Sequence, residues 1–173
     1  MKHLERLSTI LVLFVASMLA WRLVTDRLTT ANSHQRLSAP YTGQALGLPD
    51  IRYGNKATLV LALSTRCHFC QQSTPFYQKL TKISSRAGDA LKIVAILPQD
   101  EASSSRYLSQ QGIVVDRIVS GSLGAISVGA TPTVILLDAK RKVLKSWAGL
   151  LNGSRESEVL VAIHGLCQDC STI

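Results

Sequence analysis

Aromatic side chains make up only 5% of the 173 residues, and acids number 11 against 19 Lys and Arg. So few rings leave no stacking platform for nucleic-acid bases. The surplus of bases gives a net charge of +8, a balance that suits nucleic acid or an anionic membrane surface. The bases are scattered, however. Their single run, Lys140-Arg141-Lys142, falls where a hairpin turns, so it reads as a solvated turn and no nucleic-acid partner is expected. No Thr-x-x-Cys pattern is present, which leaves a peroxide-reducing site without its basis. The length and the 46% hydrophobic content allow one globular domain with a real core and a short attachment, but not two full domains.

Long apolar runs are nearly missing too. The exception is Leu7 to Trp21, LSTILVLFVASMLAW, flanked by Lys2 and Arg6 before it and by Arg22 and Arg27 after it. At about 15 residues it sits at the upper edge of a signal-peptide core and short of the roughly 20 of a full span. Snorkelling of Arg22 beside Trp21 extends it to Val24. No good small-residue cleavage site follows, since Met18 and Ala20 fit poorly, so an uncleaved signal anchor over residues 1–24 is favoured over a cleaved peptide. Export of the C-terminal part is the default for such a start, although bases on both flanks weaken the orientation signal. The expectation is a single-pass protein of the bacterial inner membrane with its domain on the periplasmic side.

Residues 25–44 are polar and aperiodic, which reads as a tether. A domain is expected over 45–166. Ala57 to Leu63 and Leu91 to Leu97 are short apolar runs fit for buried parallel strands, and Gly112 to Val119 reads as a third. Phe69 to Arg86 has helical spacing, with Phe76, Leu80 and Ile83 on one side; Glu101 to Gln111 reads as a polar helix. Thr133 to Leu137 and Lys142 to Trp147 look like an antiparallel hairpin, and Ser154, as N-cap, opens a last helix ending at Leu166. The order predicts an α/β domain with a mixed sheet.

Chemistry concentrates in two of the four cysteines. Cys67 and Cys70 stand two residues apart, directly after a predicted buried strand and at a helix start, where unpaired N–H groups and the helix dipole favour a thiolate. Zinc knuckles share that spacing. Three further features narrow the choice. Pro75 lies inside the predicted helix as a kink, Thr131-Pro132-Thr133 enters an apolar strand where a cis-proline would expose a backbone edge, and Trp147-Ala148-Gly149 closes the hairpin.

Together these resemble the thioredoxin superfamily over residues 45 to 166, and the extra helix and strand between Glu101 and Val119 resemble the membrane-tethered TlpA/ResA-type thiol-disulfide oxidoreductases. The resemblance implies Cys67 as the attacking thiol, Cys70 as the resolving thiol, Pro132 as the cis-proline facing them, and Thr131 as a backbone edge for an extended substrate. It implies no cofactor, a protein client bearing cysteines or a disulfide, and a membrane or soluble redox partner. Two departures concern bases for the resolving thiol: Leu61 stands where thioredoxins carry a buried acid, and Ser73 where TlpA-type chains carry a glutamate. Arg66 and His68 flank Cys67 and would favour its thiolate, making the pair more oxidising. The alternative is that both simply face solvent. His3, His34 and His164 have no partner in the pattern.

A second pair, Cys167 and Cys170, occupies the tail 167–173. The last helix would carry it roughly 20 Å from the first pair, so a tail disulfide or a contact with another chain is favoured over an electron relay. Two rival functions stay open: a copper or zinc metallochaperone using Cys67, Cys70 and His68, and a non-catalytic binding domain of the same fold.

Overall fold

Strand β1 (Ala57–Ala62) takes its place from the run ATLVLA, whose residues beyond Ala57 are all buried. A strand buried on both faces needs neighbours on both edges. It pairs in parallel with β2 (Leu91–Leu97) and antiparallel with β4 (Thr133–Leu137). Beyond β2 lies a short parallel strand, β3 (Arg117–Ser120), and beyond β4 an antiparallel one, β5 (Val143–Ala148). The result is a five-stranded mixed sheet of order β3-β2-β1-β4-β5. The computed structural model describes residues 17–18, 39–48 and 57–166.

Alternation along the strands divides the core in two. Leu59, Leu61, Ile93, Ala95, Val134 and Leu136 point toward the helices α2 (Thr74–Ala87), α3 (Glu101–Gln110) and α4 (Gly153–His164), which contribute Leu80, Leu108 and Ile163. Val60, Ala62, Val94, Ile96, Ile135 and Leu137 face the other way, where Leu46, Leu48, Val128 and the 3-10 turn Leu123–Ile126 cover them. Residues 40–46 lie along the start of β5: Gly43 N–H donates to Val143 O at 2.7 Å, Val143 N–H to Gln44 O at 2.9 Å, and Ser146 Oγ to Pro40 O at 2.7 Å. The end of the expected tether therefore belongs to the folded body.

Three local expectations are corrected. The helix predicted over Phe69 to Arg86 is two helices, α1 (His68–Gln72) and α2, meeting at Ser73, so Pro75 occupies the first turn of α2 and not a helix interior. An N–H is unpaired there in any helix, so proline's lack of one is harmless. Strand β3 is shorter than Gly112 to Val119. Gly112 turns at a φ of +63°, and the Asp116 carboxylate accepts the Ile93 N–H at 2.7 Å where a strand carbonyl would have served. Asn152 and not Ser154 precedes the last helix as N-cap, and that helix ends at His164.

The chain separates into two units, Met1–Arg36 and Leu37–Ile173. Of the first, Ser17 and Met18 are described, and both are helical and exposed. Among the described residues no helix is long and apolar enough to cross a membrane. The rest of the expected anchor, Leu7 to Trp21, lies outside the described residues, as do Cys167 and Cys170.

Arg155 ties the β5–α4 corner together: its guanidinium donates to Ala148 O at 2.8 Å and to Leu150 O at 3.2 Å. Arg155→Ala should cost about 1–3 kcal/mol in urea unfolding. Arg155→Lys should recover only part of it, because one ammonium replaces a planar fork that serves both carbonyls.

Candidate active site

The end of β1 delivers the chain to the site. Leu63 N–H still donates to Ile96 O at 2.9 Å; the backbone then leaves the sheet through Ser64, Thr65 and Arg66. Gln99, from the loop after β2, braces that exit: its Oε1 accepts the Thr65 N–H at 3.4 Å and its Nε2 donates to Ser64 Oγ at 3.3 Å. Cys67 follows as the N-cap of α1, in an extended conformation, and its Sγ accepts the Cys70 N–H at 3.1 Å. That is the contact a serine or aspartate oxygen makes at an ordinary helix start. Here a sulfur receives it, and such donation is what lowers a thiol pKa at a helix N-terminus.

Cys67 and Cys70 are joined as a disulfide, their Cα atoms 5.2 Å apart. Cys67 is partly exposed and Cys70 fully buried, so a thiolate from outside reaches Cys67 first.

The Thr131–Pro132 peptide bond is cis. Because Thr133 pairs with Ala62 across the antiparallel β1–β4 ladder, Pro132 stands at the sheet end from which β1 hands over to Cys67. Its carbonyl accepts the Gly149 N–H at 2.7 Å, and Gly149 holds a φ of +86° that favours glycine there. Thr131 is half-buried and lines a groove of about 320 Å³ with Ser64, Pro98, Val128 and Gly129. The chain thus sets a disulfide, a cis-proline and a groove at one end of the sheet.

Arg66 and His68 are both exposed. The His68 ring lies 3.0 Å from the Gln72 amide nitrogen through Nε2, and its centroid is 6.0 Å from that of Phe69, which is half-exposed beside the disulfide. Leu61 is buried in β1, and Ser73 is buried at the α1–α2 junction. No carboxylate occupies either place. Among the described residues no group of three or more His, Cys, Asp or Glu gathers to hold a metal ion.

Solved structures similar to this fold include bacterial proteins named for thiol-disulfide chemistry. The thioredoxin domain of a thiol-disulfide oxidoreductase from Bacteroides vulgatus superposes with a TM-score of 0.56 at 16% identity, over 72% of this chain and 98% of that one. The fold is thioredoxin-like. A thiol-disulfide isomerase from Corynebacterium glutamicum gives 0.54 at 15% identity, over 80% of this chain and 96% of its own. A secreted disulfide oxidoreductase of Mycobacterium tuberculosis gives 0.53 at 14% identity, over 78% and 100%. No protein-family model and no curated protein sequence matches the chain. On this thioredoxin-like frame, Gln99 and Phe69 are the site residues that sequence reasoning passed over. Gln99 arrives through a contact 35 residues distant from Ser64, which carries no sequence signal.

Proposed function

We propose that the chain is a protein thiol-disulfide oxidoreductase working through Cys67 and Cys70. The observation that supports this most is the partly exposed Cys67, whose sulfur caps α1 and is bonded to a buried Cys70, at the sheet end that also holds the cis Thr131–Pro132 bond. A client thiolate attacks Cys67 Sγ; the Cys67–Cys70 bond breaks and its electron pair leaves on Cys70. A second client thiolate then attacks the client sulfur of the mixed disulfide. It releases an oxidised client and the Cys67 thiolate, and a redox partner afterwards removes the two electrons. The reverse sequence reduces a client.

In this reading Thr131 and Pro132 offer backbone to an extended client segment lying in the groove. Arg66 and His68 set the poise: as cations beside Cys67 they favour its thiolate and make the pair more oxidising. The run Leu7 to Trp21 anchors the chain in a bacterial inner membrane, with the domain on the periplasmic side, where disulfides persist. The structural neighbours named as thiol-disulfide oxidoreductases agree with the chemistry, and the secreted one with the compartment.

The test is exchange with a reduced, unfolded peptide carrying two cysteines. Client thiols should disappear in step with the appearance of Cys67 and Cys70 thiols, and Cys67→Ser should abolish the reaction. A chain that exchanges with no such peptide, while its reduced form takes up copper or zinc one-to-one, would make the metallochaperone the better assignment.

A further inference from the structure

Below the disulfide lie hydroxyls that the reaction scheme does not use. Ser73 is 1% exposed and Tyr77 fully buried, yet neither Ser73 Oγ nor Tyr77 Oη has a partner at hydrogen-bond geometry among the described residues. The Tyr107 hydroxyl, brought in by α3, is in the same position. An unpaired buried hydroxyl is as unfavourable as a lost hydrogen bond, so native folds rarely keep one without a use.

Placement connects them to the redox pair. Ser73 N–H donates to Phe69 O, and both Phe76 and Tyr77 N–H donate to Ser73 O, each at 3.1 Å, so the helical backbone runs almost unbroken through the α1–α2 junction. Cys70, Ser73 and Tyr77 therefore stand three and then four residues apart on one helical face. All three are buried, and Cys70 and Tyr77 share one core cluster.

We propose that Ser73 and Tyr77 are hydrogen-bond donors kept for the Cys70 sulfur in its reduced state. This rests on the exchange reaction proposed above. In the disulfide, Cys70 Sγ is an uncharged and weak acceptor, and neither hydroxyl is paired with it. When a client thiolate attacks Cys67, the electron pair of the broken S–S bond leaves on Cys70, and a strong acceptor appears inside the core. Ser73 O–H donates to that thiolate and Tyr77 O–H donates to Ser73 Oγ, forming a charge-assisted chain. Neither hydroxyl loses its proton. On the return step the Cys70 electron pair attacks Cys67 Sγ, re-forms the disulfide and expels the client thiolate.

The phenol suits the part. Burial pushes the Tyr77 hydroxyl far above its ordinary pKa; the neighbouring Ser73 hydroxyl offsets part of that rise, and Tyr107 adds to it. Tyr77 is thus a permanent donor. Burial raises Tyr107 as well.

The experiment equilibrates the full chain with glutathione buffers and reads the Cys67–Cys70 state by alkylation and peptide mass spectrometry, which keeps Cys167 and Cys170 apart from the result. Ser73→Ala should shift the equilibrium about tenfold toward the disulfide, or about 30 mV. Tyr77→Phe should shift it less in the same direction, and Ser73→Thr, which keeps the hydroxyl, should stay near the parent. In urea, Ser73→Ala should be as stable as the parent or better when oxidised and lose stability only when reduced. An equilibrium within twofold of the parent in both Ser73→Ala and Tyr77→Phe would overturn the proposal. So would a shift that Ser73→Thr reproduces, or an equal stability change in both redox states, since either marks packing alone. Glutathione is the sole thiol used, so a chain inert toward every protein client would fail the proposed function and still give this equilibrium.

Discussion

Cys70→Ser should turn the chain into a covalent trap. With Cys67 partly exposed and capping the helix, and Cys70 sealed in the core, a client disulfide is attacked by Cys67 and the mixed disulfide awaits the neighbouring thiol. Well-oriented intramolecular groups act with effective molarities of roughly 10⁵ M and above. Removing Cys70 leaves resolution to millimolar external thiols, so the complex should live several orders of magnitude longer. Cys67→Ser should trap almost nothing, because Cys70 lies beneath it. Pro132→Thr should also prolong complexes by altering the backbone edge beside them. Non-reducing gels of membranes from these variants, with mass spectrometry of the shifted bands, measure this and name the client. Trapping by Cys67→Ser in place of Cys70→Ser would reverse the two roles.

The second large effect is expected at Leu61. Its side chain is fully buried on the central strand, opposite Ala95 on one side and Val134 on the other, in the cluster that contains Cys70. Leu61→Ala should cost about 2–5 kcal/mol, a large share of the roughly 5–15 kcal/mol that holds a domain together. Leu61→Asp puts a carboxyl into the apolar core on the central strand. Burial would raise its folded-state pKa above the unfolded value, so the folded form binds the proton more tightly. Stability should then be least impaired in mild acid and fall as pH rises through that raised pKa. Urea midpoints from pH 5 to pH 8 show it: a variant equally stable across the range would mean that the strand yields to solvent there.

Much of the sheet was legible because buried parallel strands announce themselves as apolar runs: β1, β2, β4 and β5 begin and end within about a residue of their expected bounds. Strand β3 was not. GIVVDRIV is as apolar as its neighbours, yet Val114 is 75% exposed and Asp116 spends its carboxylate on β2, choices made by tertiary contacts. Pro75 was visible, but whether a proline kinks one helix or starts another depends on where Ser73 sits, which spacing does not reveal. At the site, the spacing of Cys67 and Cys70 and the Thr131-Pro132-Thr133 entry carried their own signals. The brace from Gln99 and the unpaired hydroxyls of Ser73 and Tyr77 have none, since they depend on distance and burial across the fold.

The stretch laid along β5 bears on how copies of the chain can meet. Fibre growth by strand addition needs two free sides on every sheet, one to receive and one to offer. Gly43, Gln44 and Leu46 already take up backbone groups of Val143 and Arg141 at the opening of one side. The other side is β3, four residues long and headed by Arg117. With the opening of one side occupied and the other short and headed by a base, accidental pairing through β3 alone would end at two molecules, back to back. Under the function proposed above, a molecule meeting unfolded clients would thereby be spared from stacking on itself.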